Sequence, residues 1–323
     1  MLYSFEEILN TINKYIEGLK FDYKPQSLFD PVTYILEIGG KRVRPALALM
    51  ANNLYSEEVN AALPVAAGIE IFHNFTLLHD DLMDKAEMRR GKPTVHIKWN
   101  DNTAILSGDA MLIEAYKEVA KVPAEKLPAV LDLFSKTAME ICCGQQMDME
   151  FETRLNVEIP EYLEMIKLKT AVLLGCALKE GAMLGGASVT DADALYDFGI
   201  NIGLAFQLKD DLLDVYGDKA EFGKRIGGDI LCNKKTFLLI NALQNEGTRQ
   251  KLMPWIENKE YNEEEKIAAV TSIYNELDLK TKSEQLIQEY YKKAIAFLDE
   301  VSVPVERKKE LYALAENLMF RKS

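Results

Sequence analysis

The chain is poor in the residues that staple small secreted domains or build zinc sites. It has four cysteines in 323 residues, two of them the neighbours Cys142 and Cys143 and none in a C-x-x-C spacing. That counts against a disulfide framework and a zinc site and fits buried, reduced, structural thiols. Positive charge is also in deficit, with 38 Lys and Arg against 51 Asp and Glu and a formal net charge of −13. Nucleic-acid affinity is built on basic patches, so a general nucleic-acid partner is excluded, and any anionic ligand must be drawn by metal and a few local cations. The start, Met1 to Glu7, has no basic segment followed by an apolar one, and no stretch reads as long and uncharged enough to span a bilayer. A cytoplasmic protein without stable membrane insertion is expected.

Alternating strand patterns are nearly absent as well. What recurs is helical spacing, as in Phe5, Ile8, Leu9, Ile12 and Ile16, or Leu195, Phe198, Ile202, Phe206 and Leu213. Breaks are expected at Pro25, Pro31, Gly39-Gly40, Pro93, Pro123, Pro160, Gly185-Gly186, the Gly217 to Gly228 stretch, Pro254 and Pro304. The composition never shifts abruptly and no low-complexity linker interrupts it. The expected architecture is therefore all-α, one helical-bundle domain over residues 1–323.

Against this background two acidic runs of the same form stand out, Asp80-Asp81-Leu82-Met83-Asp84 and Asp210-Asp211-Leu212-Leu213-Asp214. On a helix, positions i and i+4 stack, so Asp80 lies over Asp84 and Asp210 over Asp214. Like charges at that spacing destabilise a bare helix. Such oxygen-rich faces suit a hard divalent cation, Mg2+, that keeps several waters and bridges to substrate phosphate. Either run alone could be a solvated acidic face. Both lie in similar apolar settings, after Leu77-Leu78-His79 and after Gln207-Leu208-Lys209, which suggests two helices facing one another across a cavity, as in bundle-core metal sites.

Cations cluster nearby in sequence. Gly39-Gly40-Lys41-Arg42-Val43-Arg44-Pro45 puts three of them after a flexible glycine pair and just before a helix expected to start at Pro45 or Ala46. Arg89-Arg90-Gly91 follows the first acidic run, and Lys219, Lys224 and Arg225 sit in the Gly217 to Gly228 stretch, which reads as a flap over an anionic ligand. Guanidinium forks and helix N-termini both favour phosphate. Each cluster taken singly is an ordinary solvated patch; beside paired carboxylates they read as a diphosphate site.

These blocks, together with Glu70 to Asp84, Lys169-Thr170, Gln207, Gly223-Lys224, Gly227 and Asp229, resemble the polyprenyl synthetase family of trans-prenyl diphosphate synthases. The resemblance implies a single bundle of long helices around a deep cavity, usually a homodimer, that condenses isopentenyl diphosphate with an allylic diphosphate. It implies that Asp80, Asp84 and Asp210 bind Mg2+ directly and that Asp81, Asp211 and Asp214 support them. Lys41, Arg44, His73 and Arg90 would hold isopentenyl diphosphate, and Arg89, Lys169 and Lys224 the allylic diphosphate, with Lys234 a further substrate-binding residue. The Thr170 hydroxyl and Gln207 carbonyl would stabilise an allylic cation, beside Lys169 and Lys224 as catalytic groups. His79 would hydrogen-bond one of the aspartates, and His96 is structural.

Two positions depart from the family pattern: Arg225 where relatives often have proline, and Asn233 where they usually have glycine before Lys234. Product length in this family is set by bulk shortly before the first aspartate, here Phe75. Helical periodicity places Thr76 about 40° and Phe75 about 140° from Asp80, so Phe75 as the tunnel floor rests on the resemblance. One bulky residue there implies a short product, farnesyl or geranylgeranyl diphosphate, leaning to the longer. The competing readings are a non-catalytic subunit of a heteromeric synthase, a longer-chain synthase, a terpene cyclase or head-to-head condensing synthase, and a magnesium phosphohydrolase. The second acidic run and the cations count against the cyclase, and the lack of strands against the α/β scaffold of many phosphohydrolases.

Overall fold

The computed structural model describes residues 2–217, 226–258 and 260–320. The chain is all-α, as expected: among the described residues the only sheet is one pair of two-residue strands. It divides into two compact units. The first comprises residues 1–135, 176–196 and 302–310, and the second residues 136–175, 197–301 and 311–323.

The first unit begins with α1 (Phe5–Glu17), opened by a capping box between Ser4 and Glu7. Its Ile8, Ile12 and Ile16 form one buried stripe, each worth about 1.5–3 kcal/mol of transfer free energy. Then come α2 (Asp30–Ile38), α3 (Val43–Asn53), α4 (Leu63–Met83), α5 (Val95–Lys98) and α6 (Asp101–Val119). α3 starts at Val43, just ahead of the expected Pro45, because proline in a first turn forfeits only an N–H that would be unpaired anyway. From Pro45 to Asn53 every residue of α3 is buried.

Helix α4 is buried continuously from Val65 to Phe72. The segment Asn60–Met83 has the length and hydropathy of a bilayer span, which corrects the expectation that no segment does. Its apolarity is that of a core helix, since 61% of its most apolar window is buried inside the protein. Glycines set the spacing around it. A Cβ on Gly68 would lie 2.8 Å from Val119 Cγ2 of α6, and one on Gly181 would lie 1.9 Å from the Ala48 carbonyl oxygen of α3.

Next to Gly181 stands Glu180, fully buried and with no hydrogen-bond partner for either carboxyl oxygen beyond the weak thiol donor Cys176. Burial raises its pKa well above the ordinary carboxylate value. The folded chain thus keeps a proton that the unfolded chain loses above about pH 4.5, and native stability falls as pH rises through that window. Glu180→Met removes the penalty. Its melting temperature is expected to exceed that of the parent at pH 8 by more than at pH 5, and thermal melts at both pH values check this; an equal gap at both would deny the buried proton.

The second unit is built on the later part of α7 (Leu127–Thr153), α8 (Ile159–Ile166) and the C-terminal part of α10 (Val189–Tyr216). Between α8 and α9 (Val172–Gly185), residues Lys167–Ala171 form a π-helical turn. Among the helices that follow are Phe237–Gln244, Glu246–Glu257, Glu263–Glu276 and Leu279–Glu300. Phe237–Gln244 is buried on nearly every side and so lies at the centre of this unit. Pro254 does not break its helix as expected: it lies three residues before the end of Glu246–Glu257, where only the last turn remains and Asn258 N–H still reaches its carbonyl at 3.3 Å.

Candidate functional site

Each acidic run ends a long helix. α4 stops at Met83 with Asp84 as its C-cap, and Asp210, Asp211 and Asp214 occupy the last turns of α10, which ends at Tyr216. The C-terminus is the negative end of the peptide dipole, where carboxylates are unfavourable and cations are stabilised. Six carboxylates placed at two such ends lower the helices' own stability and favour a bound cation.

In the first unit the three aspartates divide by burial. Asp81 is buried and gripped bidentately by Arg89, with Nε to Oδ2 and Nη2 to Oδ1 both at 2.8 Å, while Asp80 is half-buried and Asp84 exposed. Arg89 stands on a hairpin, Met88–Arg89 against Lys92–Pro93, whose turn residues Arg90 and Gly91 both have positive φ (51° and 76°), the two-residue geometry that suits paired strands. The Arg90 guanidinium covers Gly40, where a Cβ would meet it at 2.7 Å.

Around that point lies the first cationic cluster. Arg42 caps α3 with φ +44° and binds Glu70 at 3.1 Å. Arg44 Nη1 donates to His73 Nε2 at 3.1 Å, so the His73 proton belongs on Nδ1. Burial first, then Arg44, Arg90 and Arg89, holds His73 well below its usual pKa, leaving a neutral imidazole. Burial also lowers Arg44 and Arg90, each beside another cation, and Arg44 Nε is buried with no partner. Burial pushes Glu70 up, against the pull of Arg42 and Asn74. Lys41 is exposed at the edge of the cluster. Crowded cations of this kind are relieved by an anion.

His79 does not bond an aspartate. Its Nε2 meets the Ile105 carbonyl at 3.2 Å and its ring stacks edge-on against Phe75 at 4.8 Å, in a space left by Gly108, whose Cβ would come within 2.2 Å of Nε2. Phe75 in turn lies 5.5 Å from the buried Phe72. His96 meets Thr94 Oγ1 at 3.2 Å, a local contact beside α5.

In the second unit the π turn carries Lys169 and Thr170. π turns occur disproportionately at functional sites, because the extra residue re-aims side chains. Lys169 Nζ pairs with Asp148 of α7 at 2.6 Å, and Thr170 Oγ1 meets Gln207 Oε1 at 3.4 Å. Gln207 Nε2 donates to Asp211 Oδ1 at 3.0 Å, and the buried Tyr162 hydroxyl donates to Asp211 Oδ2 at 2.7 Å. Asp211 is thus buried and tied as Asp81 is, while Asp210 and Asp214 are half-buried. Burial raises Asp211 despite Lys234.

The segment after the expected flap closes on this run. Asp214 Oδ2 accepts from Asp229 N–H at 3.0 Å, and the Asp214 carbonyl accepts from Gly227 N–H at 2.6 Å. Lys234 Nζ lies 3.7 Å from Asp229; burial opposes its charge, but Asp211, Asp229, Asp148 and Asp214 together raise its pKa. Asn233 has φ +53°, a conformation glycine adopts freely and asparagine tolerates. The departure before Lys234 therefore keeps the backbone geometry. Lys224, with Lys219 and Arg225, lies outside the described residues.

The two carboxylate sets fit Mg2+ by chemistry. All their members are hard oxygen donors near the negative ends of helices, and the second of each run is buried and fixed. Among the described residues no group of three His, Cys, Asp or Glu side chains forms a closed metal cage. Sequence reasoning missed Asp148, Tyr162 and Glu70 as parts of these networks. Tyr162 and Asp148 reach their partners across 49 and 21 residues of sequence, and nothing local signals either.

Comparison with known proteins is consistent along the chain. The Polyprenyl synthetase family profile matches residues 25–274. A geranylgeranyl diphosphate synthase of Methanosarcina mazei is 44% identical over 223 residues, covering 68% of this chain and 69% of that one. A geranylgeranyl diphosphate synthase of Sulfolobus acidocaldarius is 36% identical over 305 residues, covering 92% and 91%. A crystal structure of a geranylgeranyl pyrophosphate synthase superposes with a TM-score of 0.94 at 43% identity, covering all of both chains.

Proposed function

Because the chain belongs to the polyprenyl synthetase family, we propose that it joins isopentenyl diphosphate to allylic diphosphates and releases geranylgeranyl diphosphate as its main product. It is a short-chain trans-prenyltransferase. One observation carries the reading: two D-D-x-x-D runs, each near a helix C-terminus, each with its second aspartate buried and tied by another element and its other two less buried. We read residues 1–323 as one polyprenyl synthetase domain.

In this reading Asp80, Asp84 and Asp210 hold Mg2+, supported by Asp81, Asp211 and Asp214. Bound there, Mg2+ supplies positive charge to the departing pyrophosphate. Lys169 and Lys234, with Lys224 and Arg89, add their own cations to the allylic diphosphate and stabilise the same developing charge as its C–O bond ionises. Asp148 keeps Lys169 aimed until substrate competes for it. The Thr170 hydroxyl and Gln207 carbonyl oxygens turn their negative ends to the allylic cation. Lys41, Arg44, Arg90 and neutral His73 orient isopentenyl diphosphate, whose double bond attacks that cation. Released pyrophosphate is the base for the proton then lost.

Two further points belong to this proposal. Ile105, Leu106 and Ile113 leave α6 with an exposed apolar face, which supports a homodimer; the mass of the native particle in solution decides it. Of the cysteines expected to be buried only Cys176 is; Cys142, Cys143 and Cys232 are exposed free thiols, which supports a reducing cytoplasm.

Phe75, braced by His79 and Phe72, is the proposed floor of the growing chain. Purified protein given Mg2+, labelled isopentenyl diphosphate and each of dimethylallyl, geranyl and farnesyl diphosphate is expected to yield a C20 product from all three. Chromatography of the products tests it, and a dominant product beyond C20 would overturn the floor assignment.

A further inference from the structure

The cationic cluster of the first unit contains one member of the wrong sign for a diphosphate site. Glu70 is 4% exposed and lies in the middle of α4. Its Oε1 accepts from Arg42 Nη1 at 3.1 Å and from Asn74 Nδ2 at 3.0 Å. Arg42 Nη2 also donates to the Leu36 carbonyl at 3.0 Å, in the last turn of α2. Asn74 donates as well to the Glu70 carbonyl at 2.8 Å, which fixes its amide. Glu70 thus ties the end of α2 and the start of α3 to α4.

The backbone it ties is strained. Arg42 has φ +44° and precedes α3 without a capping side chain, a conformation a long side chain rarely adopts and keeps only when its surroundings insist. This same turn carries Lys41 on one side and Arg44 on the other. Arg90 closes over Gly40, and Arg44 reaches His73, three residues after Glu70 on α4. Left alone, Arg42, Arg44 and Arg90 would repel one another and open the turn until an anion arrived. A buried carboxylate lets the cluster assemble while empty.

We propose that Glu70 is a positioning residue for isopentenyl diphosphate: through Arg42 and Asn74 it holds the Gly39 to Arg44 turn in its binding geometry and never touches substrate. The inference rests on the prenyltransferase reading above. Two effects of Glu70 oppose each other. Its charge weakens the pull of the cluster on a diphosphate, and its hydrogen bonds hold the cluster in place; the left-handed turn makes the second the larger.

Steady-state kinetics of the full-length protein with Mg2+ separate them. Glu70→Gln keeps the shape and removes the charge that holds Arg42. It is expected to raise KM for isopentenyl diphosphate at least about tenfold, with kcat and KM for the allylic diphosphate within about threefold of the parent. Arg42→Met cuts the same link from the other side and should reproduce this split. The double variant should be no worse than the poorer single one, since both act through one contact. Should Glu70→Gln fail to fold by circular dichroism, Arg42→Met alone carries the test. An active parent whose variants bind isopentenyl diphosphate as well or better, or lose both substrates equally, overturns the inference by itself. A parent inactive with both substrates overturns the functional reading and this inference together.

Discussion

Asp80→Ala and Asp210→Ala are each expected to cut turnover by roughly 10²–10³-fold or more, the scale on which removal of a group that stabilises developing charge is felt. The fold should not suffer. Asp80 lies in the last turn of α4, where a carboxylate opposes the peptide dipole by about 0.3–1 kcal/mol, and Asp210 lies in the turn before the last of α10. Alanine is also the better helix former. Circular dichroism should therefore show unchanged helix content. This pairing of lost rate with a kept fold is what a binding aspartate gives and a structural one does not. Asp81→Ala is the contrast: it strands Arg89, half-buried and bidentate on it, so stability should fall along with rate. Near-normal turnover in Asp80→Ala or Asp210→Ala would remove that residue from the metal site.

That contrast marks where the sequence was legible. The i, i+4 spacing and the repetition of the motif identified both acidic faces, and 3.6-residue periodicity identified the helices around them, because both signals are local. The division of labour within each run was not legible. Asp81 and Asp211 are buried and tied because Arg89 arrives from a hairpin and Tyr162 from another helix, and no local pattern announces either. Glu70 likewise meets Arg42 across 28 residues of sequence, and no local pattern announces that pair. The end of α10 just after the second run was legible, because Gly217 follows Tyr216 and reads as a break. The expected hydrogen bond from His79 to an aspartate failed because Gly108, on a different helix, leaves room for its ring beside Ile105. The αL conformation at Asn233 accounts for a substitution that the sequence could only flag.

Gly144→Ala is expected to damage catalysis from a position that touches no substrate. On α7, a Cβ at Gly144 would lie 2.4 Å from Lys169 N and 2.8 Å from both Leu168 C and Lys169 Cα. All three are backbone atoms, so no rotamer change makes room, and the π turn itself must move. Its far side is closed in the same way, since a Cβ on Gly203 of α10 would lie 2.7 Å from Ala171 Cα. Close approach of three segments is thus what holds Lys169 against Asp148 and Thr170 beside Gln207. An added methyl in such packing costs about 1–3 kcal/mol, and a shift of the order of 1 Å in a positioning group costs about 10²-fold in rate. Alanine's greater helix propensity, about 1 kcal/mol over glycine, offsets only part of the first cost. We therefore expect a lower melting temperature and a kcat reduced about a hundredfold, with KM for isopentenyl diphosphate little changed, because the Lys41 to Arg44 turn belongs to other elements. Gly247→Ala is the control: a Cβ there meets nothing closer than 3.5 Å, so it should be neutral or slightly stabilising. Parental kcat in Gly144→Ala would show that the π turn tolerates displacement, and would remove Lys169 and Thr170 from the groups whose placement limits the rate.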